Sequence, residues 1–334
     1  MSDIRRTVVF TRRPNGAPTA DDFAVLEQAL PEPARGEVLV AARYVSIDPY
    51  VRTMIDPANP YGAPMELGIP IPGDMAGEVI VSNNAGFVVG DWVAGRLGWQ
   101  SHALSAAEGL RRLDLDLADP PIHLALLGSS GLTAWFGMME IGRPEPDENV
   151  LVSGAAGAVG QVASQLAKAA GAYVLGIAGG AGKCAHLTGG LGLASAVDHR
   201  SGTLGEDLDR LCPEGYDVYF DNVGGSITDA VMKRLRRHAR VVVCGESSQY
   251  DLIGNEFNPR ILGPLMDSRA TMTGLLVSDF TAQYDMARAE LARLHRRGDL
   301  KVHVDIVDGI ENAPQAFIGM LKGENTGKRL VRVR

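Results

Sequence analysis

Cysteine is scarce in this chain, with only Cys184, Cys212 and Cys244 among 334 residues. They are scattered and odd in number, which excludes a disulfide framework; they read as reduced packing residues of an intracellular protein. No apolar run approaches the roughly 20 residues needed to span a bilayer. The start, Met1-Ser2-Asp3-Ile4-Arg5-Arg6, has no apolar signal core behind it, so the expected location is cytoplasmic. Positive charge is in deficit: 32 Lys and Arg against 40 Asp and Glu leave a net charge of -8. That balance argues against general nucleic-acid or membrane-surface binding. Repeats and low-complexity segments are absent too. What remains is ordinary globular composition, 46% hydrophobic and 22% charged, in a chain long enough for two domains.

The two parts have different textures. Up to residue 122, Pro and Gly punctuate short β-like runs such as Thr7–Phe10, Glu37–Ala42, Gly77–Val81 and Asp91–Gly95. Many short strands separated by turns predict a partly open β-barrel. Between residues 123 and 297, strands alternate with helices: Val150–Ser153, Ala172–Ile177, Ala196–Asp198, Asp217–Asp221, Arg240–Cys244 and Thr271–Leu276. This alternation predicts a doubly wound parallel sheet. After Asp279, Phe280, Tyr284, Ala287, Leu291 and Leu294 define one helical face. Residues 298–334 return to strand (His303–Val307), helix (Ile310–Leu321) and strand (Arg329–Val333), and complete the first domain.

Asn149–Ser153 runs straight into Gly154-Ala155-Ala156-Gly157-Ala158-Val159-Gly160, where a helical pattern begins. Val159, Val162, Ala163, Leu166, Ala167 and Ala170 recur at i, i+3, i+4, i+7, i+8 and i+11. A strand that becomes a helix through glycines is a phosphate cradle. The bare turn admits a pyrophosphate, and the helix N-terminus offers unpaired N–H groups and a positive dipole end. The spacing is G-x-x-G-x-x-G, weak alone, but strand, helix and strand in sequence point to a bound dinucleotide. The identity of that dinucleotide turns on the end of the second strand. An NAD site places an Asp or Glu about 20 residues past the first glycine to hold the ribose 2′-hydroxyl. Here Ile177-Ala178-Gly179-Gly180-Ala181-Gly182-Lys183 has no acid. A lone lysine is usually a solvated surface residue. Beside glycines, with the acid missing, Lys183 instead suits a 2′-phosphate, and His199 and Arg200 are placed to reach the same group. The expected cofactor is NADP(H).

Motifs in series carry a resemblance. They are Val45–Arg52 (VSIDPYVR), Gly98–His102 (GWQSH), Gly131–Gly137 (GLTAWFG), Asp217–Gly225 (DVYFDNVGG), Cys244-Gly245 followed by Tyr250, and Ala316–Lys328 (AFIGMLKGENTGK). With Ser153–Gly160 they resemble the medium-chain dehydrogenase/reductases. Within these, they are similar to the zinc-independent branch of prostaglandin reductases (leukotriene B4 12-hydroxydehydrogenases) and alkenal double-bond reductases. The resemblance implies a Rossmann nucleotide-binding domain and a GroES-like catalytic domain. Relatives are often dimers joined by the edge strand of the nucleotide domain; Thr271–Val277 could pair that way, or be covered within its own chain. The resemblance also implies cofactor contacts. Ala156, Gly157, Ala158, Val159 and Gly160 would face the pyrophosphate. Gly179, Lys183, His199 and Arg200 would surround the 2′-phosphate. Asn222, Cys244, Gly245, Ser248 and Tyr250 would line the ribose region. Thr133 would border the nicotinamide, and Leu275, Leu276 and Val277 would hold its carboxamide through backbone groups. Asn325 would reach a phosphate or ribose. Two positions depart from the family: Leu275 stands where relatives usually carry Phe, and His199 where they carry Tyr. The histidine keeps a donor and makes phosphate binding more sensitive to pH.

The zinc branch of that superfamily needs a Cys, a His-Glu pair and a further Cys as ligands. Ser46-Ile47-Asp48 and Gly73–Gly77 supply neither Cys nor His, the structural-zinc cysteines are missing, and His102 and His123 read as hydrogen-bonded structural residues. The expected metal is none. The implied chemistry is an oxidoreductase acting on CH–CH donors: NADPH gives hydride to the β-carbon of an α,β-unsaturated ketone or aldehyde, and the carbonyl oxygen gathers enolate charge. A tyrosine hydroxyl suits that oxygen, because it donates a hydrogen bond without ionising at pH 7. Tyr250 is the leading candidate, with the cofactor 2′-hydroxyl as its other possible partner. Tyr61 is balanced between function and packing, and for Tyr50 packing is favoured. Quinone reduction on the same fold and a non-catalytic NADP-binding protein remain open alternatives. The substrate-lining loops, near Ile55–Leu67, Gly98–His102 and Ser247–Asn258, have no readable code for a particular acceptor.

Overall fold

The computed structural model describes residues 4–59, 62–252 and 261–333. The chain divides into two compact units, residues 1–124 with 304–334, and residues 125–303.

The first unit is antiparallel for the most part. Its strands are β1 (Ile4–Phe10), β2 (Phe23–Ala29), β3 (Val38–Ser46), β4 (Met75–Ser82), β5 (Trp92–Gly95), β6 (His102–Ser105) and β7 (Arg111–Arg112). The tail adds β14 (Val304–Asp308) and β15 (Lys328–Arg332). A seven-stranded sheet runs β14-β15-β3-β4-β5-β7, with β6 also paired to β3, and β1 and β2 form a separate pair. Register shifts at Leu39/Val40 and Ala42/Tyr44 let β3 curl against β4, the expected consequence of an extra residue in one strand. The enclosed core contains Phe10, Val40, Ile47, Ile55, Met75, Val79, Trp99 and Phe317. The Trp99 indole N–H donates to the Ser46 carbonyl at 2.9 Å, so the largest buried ring leaves no polar group unpaired.

The second unit is a parallel sheet of β8 (Asn149–Val152), β9 (Tyr173–Ala178), β10 (Ser195–Asp198), β11 (Tyr216–Asp221), β12 (Leu235–Val243) and β13 (Thr271–Gly274). Their order is β10-β9-β8-β11-β12-β13, the doubly wound arrangement in which strand order reverses beside β8. Parallel strands are covered on both faces, which explains the unbroken apolar runs: Val150, Leu151 and Val152 are all fully buried. The helix Ala158–Ala169 returns along the sheet and buries eight consecutive residues from Gly160 to Ala167.

Two helices differ from the sequence reading. The regular helix expected after Asp279 begins only at Tyr284. Phe280 lies in a tight turn at φ -108°, ψ 15°, where its ring stacks on Phe136 with centroids 4.5 Å apart. Tertiary stacking takes the aromatic out of the helical register. The tail helix spans Ala313–Leu321 after a separate turn, Ile310–Asn312, with Pro314 in its first turn.

Candidate functional site

Strand order reverses between β8 and β11, and ligands of such sheets bind outside the carboxyl ends at that point. Ser153 follows directly on β8, and Gly154 takes a left-handed φ of +58°. Its carbonyl accepts the Gly157 N–H at 2.9 Å, while the Ala155 N–H ties the turn to Ile177 of β9 at 3.0 Å. Gly157 caps the helix Ala158–Ala169 with no side-chain hydrogen bond. The first-turn N–H groups are thus left for an external acceptor, the arrangement that binds anions. A methyl at Gly160 would lie 2.3 Å from the Gly154 carbonyl oxygen, so only glycine lets turn and helix close this tightly.

At the ends of β9 and β10 three basic residues gather. A methyl at Gly179 would lie 2.8 Å from both His199 Nε2 and Arg200 Nε. Lys183 stands on the short helix Ala181–Ala185, and its charge reaches His199. Burial first, then the charges of Arg200 and Lys183, hold the His199 imidazole below its usual pKa, against the opposing pull of Asp198. Asp198 beside them is turned to the backbone: its Oδ1 accepts the N–H groups of Gly180 at 2.8 Å and Arg200 at 2.9 Å. Those two bonds hold its carboxyl below the usual range.

The far side of the switch is held by hydrogen bonds. Asn222 donates its backbone N–H to Ser153 Oγ at 2.8 Å and its side-chain amide to the Ser153 carbonyl at 2.7 Å. The Asp221 carbonyl accepts Cys244 and Gly245 N–H groups at 2.8 and 3.1 Å. Burial, then the Asp221 charge, push the Cys244 thiol up to about 12, so it is a packing group at neutral pH. Ser248 Oγ donates to the Val223 carbonyl at 2.7 Å. The Tyr250 hydroxyl sits over Gly245, 3.1 Å from where a β-carbon would stand. Leu275 continues from β13, its N–H on the Val243 carbonyl at 2.9 Å, and it packs with Phe136, Phe280 and Tyr284. Leu276 is exposed, and the Val277 carbonyl accepts the Tyr284 hydroxyl at 3.1 Å. Thr133 bonds back to Ser129 within its helix at 2.8 Å.

Thus the carboxyl edge of one sheet collects the turn Gly154–Gly160, Gly179, Lys183, His199, Arg200, Asn222, Cys244, Gly245, Ser248, Tyr250 and Leu275. Tyr50 and Asn325 belong to the other unit. Tyr50 packs on its core beneath the Arg96 guanidinium, 5.2 Å from the ring centre. The Asn325 amide donates to the Gly327 carbonyl at 2.9 Å. Tyr61 lies outside the described residues. Ser153 and Asp221 were missed as site residues. The signal was present, a small hydroxyl and an acid each at the carboxyl end of a central strand, but their partnership spans 68 residues.

The stretches weighed as metal ligands are engaged otherwise. The Asp48 carboxylate accepts from the Ser46 hydroxyl and from the buried Lys328 ammonium. Burial and the Asp48 charge raise the Asp74 carboxyl above its usual range. His123 Nε2 contacts the Asp114 carbonyl at 2.9 Å and His102 Nδ1 the Ser101 hydroxyl at 3.0 Å. Among the described residues no three His, Cys, Asp or Glu side chains cluster as a metal site. Nor does any helix there have the length and apolarity to cross a membrane.

A parallel sheet in this order, with an uncapped helix at a glycine turn beside the switch point, defines a dinucleotide-binding α/β unit. Two family models match: the N-terminal domain of oxidoreductase over residues 6–113 and zinc-binding dehydrogenase over residues 158–293. The chain is 35% identical over 333 residues to the NADPH-dependent curcumin reductase of Escherichia coli, covering 98% of this chain and 96% of the relative. It is 37% identical over 326 residues to prostaglandin reductase 1 of Mus musculus, covering 95% of each. The crystal structure of CurA from Vibrio vulnificus in complex with NADPH superimposes with a TM-score of 0.94 at 36% identity, covering 98% of this chain and 99% of that one. The chain belongs to the medium-chain dehydrogenase/reductase family, in the zinc-independent branch that contains the curcumin and prostaglandin reductases.

Proposed function

We propose that this protein is an NADPH-dependent reductase of the carbon–carbon double bond in α,β-unsaturated ketones or aldehydes. Its relatives are named for NADPH-dependent curcumin reduction and prostaglandin reduction. The observation that carries the cofactor choice is the cluster of Lys183, His199 and Arg200 around Gly179, with Asp198 turned to the backbone. When bound, the cofactor supplies the hydride that the β-carbon receives. The chain's own part is to hold and to polarise. The turn Gly154–Gly157 and the N–H groups of Ala158, Val159 and Gly160 receive the pyrophosphate. Lys183, His199 and Arg200 receive the 2′-phosphate. Tyr250 donates a hydrogen bond to the enolate oxygen, or to the ribose, from its place over Gly245. The exposed edge strand β13 joins two copies in a homodimer, which light scattering tests: a mass equal to one chain at working concentration rejects it.

The decisive experiment incubates the protein with NADPH and panels of enones, enals and quinones, and follows the absorbance of the reduced cofactor. Enone or enal turnover is expected. Turnover of quinones alone, or binding without turnover, overturns the reading. Tyr250→Phe should lower kcat about a hundred- to a thousandfold, the usual cost of one lost donor to a developing oxyanion. A normal kcat with weaker NADPH binding would instead assign the hydroxyl to the ribose.

A further inference from the structure

The most heavily bonded side chain at the switch point has no place in the proposed function. Asp221 is 3% exposed and closes the central strand β11. Its Oδ1 accepts the Ser153 hydroxyl at 2.8 Å, the Tyr219 hydroxyl at 2.8 Å, and the N–H groups of Val223 at 3.1 Å and Gly224 at 3.0 Å. Its Oδ2 accepts the Thr228 hydroxyl from the helix Gly225–Met232. Five donors on one buried carboxylate are more than a solvated acid gathers, and they come from three separate elements. The arms differ in what they hold. Ser153 is fully buried, and once it has donated to Asp221 its oxygen is oriented to accept the Asn222 N–H at 2.8 Å. Asn222 returns its side-chain amide to the Ser153 carbonyl at 2.7 Å, immediately before Gly154 opens the phosphate turn. The Thr228 arm ties the following helix to the carboxylate and to the Tyr219 hydroxyl, 3.1 Å away.

From this geometry we infer that Asp221, acting through Ser153, is a positioning residue for the cofactor. It sets the ends of β8 and β11 against each other before ligand arrives, and with them the phosphate turn and the Asn222 side chain. The inference rests on the cofactor reading above. A preorganised site spends less binding free energy on ordering its own loops. The cost of losing the arm should therefore appear in cofactor affinity and not only in stability.

The two arms provide the test, because both end on the same carboxylate. Ser153→Ala removes the arm that holds the cradle, and Thr228→Val removes the arm that does not. NADPH Kd, kcat at saturating NADPH and melting temperature are measured for both variants and for the unaltered protein. Ser153→Ala is expected to raise Kd about tenfold, the scale of one hydrogen bond to a charged group, with kcat at saturation retained. Thr228→Val is expected to lower the melting temperature as much as Ser153→Ala does and to leave Kd unchanged. If Kd follows melting temperature equally in both variants, or moves in neither, the positioning role is overturned. If the unaltered protein does not bind NADPH, the cofactor reading falls first and this inference with it. Asp221→Ala removes both acceptor oxygens and should lose both arms together; should it fail to fold, the Ser153 and Thr228 pair still decides.

Discussion

At Gly179 an absent side chain decides how close two basic side chains come. With His199 Nε2 and Arg200 Nε each 2.8 Å from the point where a methyl would stand, any other residue would push the basic pair away. Lys183→Ala should raise the Kd for NADPH by about ten- to a hundredfold, the value of a charged hydrogen bond of roughly 1.5–3 kcal/mol, while NADH binding holds. Equal losses for both cofactors, read in a binding titration, reject the 2′-phosphate assignment. His199 adds a pH dependence whose sign follows from linkage. Burial and two cations depress its pKa in the free protein, and a bound phosphate raises it. Protonated His199 therefore contributes fully below the free-state pKa, and the contribution disappears as pH rises through the bound-state value. NADPH affinity should fall between about pH 5 and 8, and more steeply than in His199→Gln. Parallel pH profiles for the two proteins would remove His199 from the site. The basic trio was legible in the sequence because the missing acid and the lysine are adjacent on the chain. The orientation of Asp198 was not, since it depends on a loop that returns 18 residues earlier.

At the scale of elements, the turn and helix of Gly154–Ala169 act as one piece. Gly160→Ala introduces a methyl 2.3 Å from the Gly154 carbonyl oxygen, a clash with backbone that no rotamer relieves. The cost should be about 1–3 kcal/mol, as for other overpacked sites, and NADPH affinity should fall with it because the phosphate turn is what must shift. A melting curve and a titration on the same sample check both. An unchanged melting temperature would show that the helix can slide. Periodicity found this helix because its buried positions repeat along its own length. It misplaced Phe280, which satisfies the helical spacing and yet leaves the helix to stack on Phe136. Spacing reports which residues want burial; it does not report which neighbour buries them.

For the whole molecule, metal is the sharpest test, since one matching family model is described as zinc-binding. The two acids of the stretches weighed as ligands are engaged otherwise: Asp48 with Ser46 and Lys328, and Asp74 held toward its neutral form by burial and the Asp48 charge. A buried carboxyl whose charged form is disfavoured and a carboxylate already ion-paired make poor partners for a cation. Enone turnover should survive exhaustive dialysis against a chelator, and elemental analysis should find no stoichiometric zinc. One zinc per chain, with activity lost on its removal, would overturn this reading.

The sequence by itself determined the alternation of strand and helix between residues 123 and 297, the glycine turn after β8 and the lysine that follows β9. These are local features, written in neighbours along the chain. Motif order along the chain was also enough to place it among the zinc-independent reductases. Tertiary structure decided what depends on distant segments meeting. It set the strand order that leaves a switch point between β8 and β11, packed Tyr50 on the core of its own unit, and placed the Tyr250 hydroxyl over Gly245. It also joined Ser153 to Asp221 across 68 residues. A hydrogen bond is satisfied by geometry and not by spacing, so a carboxylate that gathers donors from three elements looks like any other acid until the chain has folded around it.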